Sequence, residues 1–170
     1  KWNSIYQNNK VFQTQLKDKN QIKIKEEDFF GNLKITNNYI YGEYGIGYSK
    51  INSITTKKII ELFIEKNKMN HDDYFLITSD GSSECLEIIE SIINLNDKNI
   101  KFLTFQKFLG FDKTFILSTI KTIKPFGCIY LSKSIFNPEI LQINLYDSKG
   151  KEIKNDQLEY LIKKIEKNID

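Results

Sequence analysis

Ser134 follows directly on an apolar run, Cys128-Ile-Tyr-Leu-Ser-Lys-Ser134, and precedes an alternating one that ends in Tyr146-Asp-Ser-Lys-Gly150. Strand, polar loop, strand is the simplest reading of that stretch. A serine just past the carboxyl end of a buried strand stands where open α/β sheets place their ligands, because free N–H groups and side chains there face a crevice. The plainer reading is a turn residue bonded to its own backbone.

Other chemistries lack their residues. His71 is the only histidine, so a His-based triad or a His-rich metal site cannot be assembled from within the chain; it reads as a loop residue. Cys85 and Cys128 fall in a helical and a strand segment with no partner at ligand spacing, and are expected to be reduced and buried. Gly42-Glu-Tyr-Gly45-Ile-Gly47 is dense enough in glycine to turn sharply or approach a ligand. It fits neither the dinucleotide nor the P-loop pattern.

The elements that must position these residues alternate. An Asn37-Asn38 turn separates two short strands, and a helix capped by Asn52 or Ser53 carries Ile59, Ile60, Phe63 and Ile64 on one face. An apolar strand at 74–78 leads through Ser79-Asp-Gly-Ser-Ser83 into a helix with Leu86, Ile89, Ile92 and Ile93 on one face. A strand at 100–105 precedes a helix at about 112–122, with Phe115, Ile116, Ile120 and Ile123 inward. The strand 127–131 then leads to Ser134, Ile143-Asn-Leu-Tyr146 forms an antiparallel edge strand, and a last helix runs over about 156–168. Its inward face is Leu158, Leu161, Ile162, Ile165 and Ile169. Such alternation predicts a three-layer α/β/α sandwich with a mostly parallel mixed sheet and an antiparallel edge strand. Residues 1–27, from Trp2 through Leu16 and a Lys-rich stretch, read as a helical arm and connector, and 28–170 as the α/β/α domain.

The 170 residues carry a net charge of +3. All 25 basic residues are lysine, interspersed with acids rather than gathered, which argues against a nucleic-acid footprint. No apolar run is long enough to cross a bilayer, and the N-terminus lacks the apolar core of a signal peptide, so a cytoplasmic protein with no membrane partner is expected. Beginning with Lys1, the chain reads as part of a longer polypeptide.

In this order the features resemble the first domain of the α-D-phosphohexomutases, the phosphoglucomutase and phosphomannomutase superfamily, and within it the phosphoglucomutase-2-like and phosphopentomutase-like branch. That branch's serine loop, approximately T-A-S-H-N-P-P-E-Y-N-G-Y-K-V-Y, lies without gaps on 132–146, matching Ser134, Pro138, Glu139 and Tyr146; Gly150 and Ile153 follow in step. A family stretch F-G-G-R-L-E-F-G-T-A-G-L-R-G-K-M-G-A-G-P-N-R-M-N-R-Y-T lies on 29–55. It matches Phe29, Gly31, Leu33, Gly42, Gly45, Gly47, Asn52 and Thr55, with Lys50 for an Arg.

The resemblance implies that Ser134 is a phosphoserine which passes its phosphoryl group to a sugar phosphate. Mg²⁺ would be held by that phosphoserine and by ligands of a further domain outside this chain. Lys133 and Lys50 would be the remaining phosphate-binding candidates. The partners implied are a sugar phosphate and downstream domains of the same polypeptide.

Departures fall on the chemistry. The family's His, Asn and first Pro after the serine are Ile135, Phe136 and Asn137; the glycine-loop Arg is Tyr41; and after the strand at 74–78 Asp80 is kept without the Arg that follows it in the family. A phosphoserine against Ile135 and Phe136 is poorly served, since phosphoryl transfer depends on cations placed around it. The expectation is therefore the N-terminal domain of a divergent phosphohexomutase, catalytically impaired or inactive. The alternative is a non-catalytic structural or partner-binding module of the same fold. An unrelated flavodoxin-like or nucleotide-binding domain would share the alternation without the motif matches.

Overall fold

The computed structural model describes residues 31–70, 72–96, 98–105 and 111–167. The arm over 1–27, His71 and Ile169 lie outside them. The elements are β1 (Lys34–Thr36), β2 (Tyr39–Glu43), α1 (Ser53–Asn67), β3 (Phe75–Ser79), α2 (Ser83–Asn94), β4 (Phe102–Leu103), α3 (Lys113–Ile123), β5 (Gly127–Lys133), β6 (Ile140–Asp147) and α4 (Asn155–Lys167).

One six-stranded sheet runs in the order β1-β2-β6-β5-β3-β4. The pairings β3 with β4 and β3 with β5 are parallel, while β5 with β6, β6 with β2 and β2 with β1 are antiparallel, so β2, β3, β4 and β5 point one way. The chain is an α/β/α sandwich. β6 is antiparallel as expected, but it is an inner strand: β2 pairs along its far side, and the antiparallel edge is β1. Helices on both sides of the sheet bury the β6 side chains, Ile143 and Leu145 on one face and Tyr146 on the other.

Strand alternation divides the core in two. Phe75, Ile77, Ile129, Leu131, Leu141, Ile143 and Leu145 point to the face covered by α1, α2 and α4. Leu76, Cys128, Tyr130 and Tyr146 point to the other, covered by α3 through Ile116 and Ile120. Both cysteines are free and buried, and they lie on opposite sides of the sheet. Gly127 marks the closest packing: a Cβ there would lie 2.7 Å from a Phe63 ring carbon and 3.0 Å from one of Phe75.

Two helix faces differ from the sequence reading. In α2 the buried residues are Cys85, Ile88, Ile89 and Ile92, an i, i+3, i+4, i+7 set, while Leu86 is half-buried and Ile93 exposed. In α3 only Ile116 and Ile120 are buried. Phe115 and Ile123 are exposed, and Phe115 stacks on Phe111 at 4.4 Å instead of entering the core. The strand expected at 100–105 shortens to β4, the final edge of the sheet.

The Asn37-Asn38 turn is confirmed by its backbone. Both residues have positive φ, 46° and 63°, as a two-residue hairpin requires. Asn38 and Asn155 then exchange backbone-to-side-chain hydrogen bonds at 2.7 and 3.2 Å, tying the hairpin to the start of α4.

Candidate functional site

Because β2, β3 and β5 run in the same direction, their carboxyl ends lie together at one end of the sheet. This brings three stretches to one rim: the glycine-rich segment after β2, the Asp80 loop after β3, and the Ser134 loop after β5. Glu43 pairs with Ile140, whose carbonyl accepts the Ser134 N–H at 2.8 Å, so the β2 end and the serine loop are neighbours.

The serine loop, residues 134–139, is the connection of the β5–β6 hairpin. The Ile140 N–H closes it onto the Asn137 carbonyl at 3.0 Å, and the Glu139 N–H bonds Asn137 Oδ1 at 3.1 Å. Ser134 Oγ accepts the Phe136 N–H at 3.3 Å, which is the serine-turn geometry of the plainer reading. Ile135 and Phe136 project from the tip 95% and 96% exposed. No apolar neighbour covers them among the described residues, and neither offers a donor to a phosphate at Ser134 except through its backbone.

Asp80 ties the serine loop to the rest of the rim. Its N–H donates to the Leu131 carbonyl at 2.9 Å. Its carboxylate accepts the Ser82 N–H on Oδ1 at 2.9 Å and the Lys133 N–H on Oδ2 at 2.7 Å. Gly81, with φ of 84°, supplies the left-handed turn that lets the chain double back between them. Both oxygens of Asp80 are thus spent on backbone donors.

The two basic candidates are also spent. Lys133 Nζ lies 2.8 Å from Glu84 Oε1, in the first turn of α2, and Ser83 Oγ donates to Glu84 Oε2 at 2.9 Å. For the Glu84 carboxyl, burial pushes upward, but the hydrogen bonds from Lys133, its own backbone and Ser83, with the Lys133 charge, hold it below its ordinary value. Lys133 is correspondingly raised, chiefly by its hydrogen bond to Glu84. Lys50 pairs with Glu43. Lys133 and Lys50 are therefore not brought together on Ser134. Burial pushes the thiol of Cys85, one residue beyond Glu84, up to about 12, which keeps it protonated.

The glycine-rich segment is folded on Asn52, which sequence reasoning recognised only as a helix cap. The fully buried Asn52 accepts the Ile54 and Thr55 N–H groups on Oδ1, both at 3.0 Å, capping α1. Its Nδ2 reaches back to the carbonyls of Gly45 and Gly47 at 2.9 Å and of Lys50 at 3.3 Å. Thr55 Oγ1 completes a capping box and also donates to the Lys50 carbonyl at 2.9 Å. Donors that could have cradled an anion at the α1 N-terminus are used internally. Tyr41, in the place of the family's arginine, lies beside Tyr39 on β2 with ring centroids 6.2 Å apart.

A cleft of about 520 Å³ lies at the opposite end of the sheet, among Phe63, Asn67, Phe126, Asp147, Lys151 and Lys154. Asp147 pairs with Gly127 at the start of β5, a full strand away from Ser134, so this hollow is not part of the rim. Among the described residues, no group of three or more His, Cys, Asp or Glu could hold a metal ion. No described helix is long and apolar enough to cross a membrane.

No protein-family model matches the chain, and no curated protein is similar to it at a significant level. Solved structures do match. The chain is similar in fold to a protein assigned as a phosphomannomutase from Thermus thermophilus. The TM-score is 0.64 and the identity 11%, over 79% of this chain and 30% of that one. It is similar also to a phosphoglucomutase/phosphomannomutase family protein from Burkholderia thailandensis. There the TM-score is 0.54 and the identity 16%, over 78% of this chain and 30% of that one. The chain has the fold found in these proteins and spans about a third of their length.

Proposed function

We propose that this chain is the N-terminal domain, over about residues 28–170, of a divergent phosphoglucomutase/phosphomannomutase-like protein, in the phosphoglucomutase-2 and phosphopentomutase-like branch, and that its catalysis is impaired. The fold likeness and the position of Ser134 at the carboxyl rim support the first part. The observation that carries the second is the engagement of Lys133 with Glu84, beside a serine whose next two residues are exposed and apolar.

Transfer to Ser134 would place a phosphoryl carrying about −1.5 to −2 charge on the loop. Stabilising that charge is nearly all the catalysis a protein performs in such a transfer. Among the described residues, the loop's backbone N–H groups and Lys133 are what could meet that charge, and Asp80 and Glu84 hold the backbone N–H and the ammonium of Lys133 against the β3–α2 segment. Mg²⁺, in a catalytic parent protein, would supply positive charge at the transferring group. Its ligands other than a phosphorylated Ser134 would come from a domain beyond these residues. The partners in this reading are a sugar phosphate and the downstream domains.

A second reading, a non-catalytic module that contacts another protein surface, is favoured by the exposure of Ile135 and Phe136. The test is hexose 1-phosphate isomerisation by the full-length protein with Mg²⁺ and a hexose bisphosphate, beside an ordinary family enzyme. Turnover at least about a hundredfold lower, as expected when a transition-state donor is lost, supports impairment. Turnover equal to the ordinary enzyme's, and abolished by Ser134→Ala, refutes it.

A further inference from the structure

Residue 133 is gripped at both ends by one segment. Asp80 Oδ2 takes its backbone N–H at 2.7 Å and Glu84 Oε1 takes its ammonium at 2.8 Å, across about fifty residues of sequence. We propose that Glu84 is a positioning residue that acts on Ser134 through Lys133, withholding from the serine the cation its neighbour would otherwise give to a phosphate there. This rests on Ser134 being the position that carries phosphate.

The two halves of the grip differ in strength. The Asp80 contact is between a carboxylate and a backbone donor and fixes the Ser132–Lys133 peptide. The Glu84 contact is a side-chain ion pair with both partners 30% exposed, a class of interaction that contributes little and exchanges readily. Lys133 has a flexible four-carbon stem, and its Cα is about 3.8 Å from that of Ser134. A phosphate at Ser134 would carry more charge than the Glu84 carboxylate and more acceptor oxygens. The competition is thus between two anions for one ammonium, with the backbone held still by Asp80.

The charged and titratable groups around Lys133 are Glu84, Asp80 and the buried Cys85 thiol. The first is the one that engages the ammonium itself. Ser83 strengthens its hold by donating to the carboxylate's other oxygen at 2.9 Å. A phosphate at Ser134 has to compete with Glu84 for the Lys133 ammonium, and removing the Glu84 charge would end that competition.

The experiment installs phosphoserine at position 134 of the full chain by genetic encoding, so neither self-phosphorylation nor mutase activity is required. The second ionisation of that phosphoserine is followed by phosphorus NMR in otherwise wild-type protein and in Glu84→Gln, Lys133→Met and the double variant. Glu84→Gln is expected to lower it by about half a unit, Lys133→Met to raise it, and the double variant to match Lys133→Met. An equal downward shift from Glu84→Gln in the Lys133→Met background would mean that Glu84 acts directly through its own charge, and the proposal fails. No shift from Glu84→Gln overturns it as well. Whether unmodified Ser134 accepts phosphate is read in a separate assay, so the failure of that reading would be recognised independently.

Discussion

Asn52 allows the account of the glycine-rich segment to be tested quantitatively. As an N-cap alone its truncation to Ala would cost about 1 kcal/mol. Its Nδ2, however, also serves three carbonyls. Those of Gly47 and Lys50 keep a second donor, the Lys50 N–H and the Thr55 hydroxyl, whereas the Gly45 carbonyl is left to find water. Losing these bonds adds about 1–2 kcal/mol, so Asn52→Ala should lose about 2–3 kcal/mol in urea unfolding, a fall in Tm of roughly 4–12 °C for a chain of this size. Asn52→Asp is the sharper variant. Asp caps a helix as well as Asn does, but it has no donor and would set a charge against three carbonyl oxygens, so it should cost at least as much as Ala. If Asn52→Asp unfolds with wild-type stability, Asn52 is only a cap and the stapled loop is refuted.

Further expectations follow from packing and charge. Gly127→Ala places its Cβ against Phe63 and Phe75, and should cost about 1–3 kcal/mol in the same unfolding assay. Among the described residues the buried Tyr146 hydroxyl has no hydrogen-bond partner, so Tyr146→Phe should be neutral or stabilise by up to about 1 kcal/mol; a clear loss would reveal a partner. Restoring the family residues with I135H/F136N should leave stability within about 0.5 kcal/mol, because both side chains stand in solvent. The Glu84 carboxyl titrates below its ordinary 4.5 in the folded chain, so its stabilising contribution is present above that pH and lost as pH falls through the folded value. The stability advantage of wild type over Glu84→Gln, measured by unfolding across pH 3–7, should therefore shrink on the acid side. A constant difference would contradict the pair with Lys133.

Much of the fold could be read locally. The Asn37-Asn38 turn announces itself because few residues other than Gly tolerate positive φ at both positions. Ser134 could be found because a short apolar strand ending in small polar residues marks a sheet's carboxyl rim. The misread features depend on distant partners. β6 has the alternation of an edge strand, but β2, about a hundred residues earlier, pairs along its far side and helices cover both faces of the sheet over Ile143, Leu145 and Tyr146. Phe115 sits at helical spacing for the core, but it stays exposed and lies against the rings of Phe111 and Phe105, which pack against the edge of that core. In the candidate site, the grip of Asp80 and Glu84 on residue 133 and the reach of Asn52 into the glycine segment are contacts between loops, which spacing along a sequence does not encode.

The most direct test is the phosphate content of Ser134 in the full-length protein, by intact-mass and peptide mass spectrometry before and after incubation with a hexose bisphosphate and Mg²⁺. An ordinary phosphohexomutase treated in parallel calibrates complete occupancy. The account predicts that Ser134 stays unmodified or only fractionally phosphorylated, with any adduct lost in Ser134→Ala. Complete phosphorylation of Ser134 at the rate of the ordinary enzyme would contradict it, for the serine would then have all the positive charge it needs while Glu84 still holds Lys133.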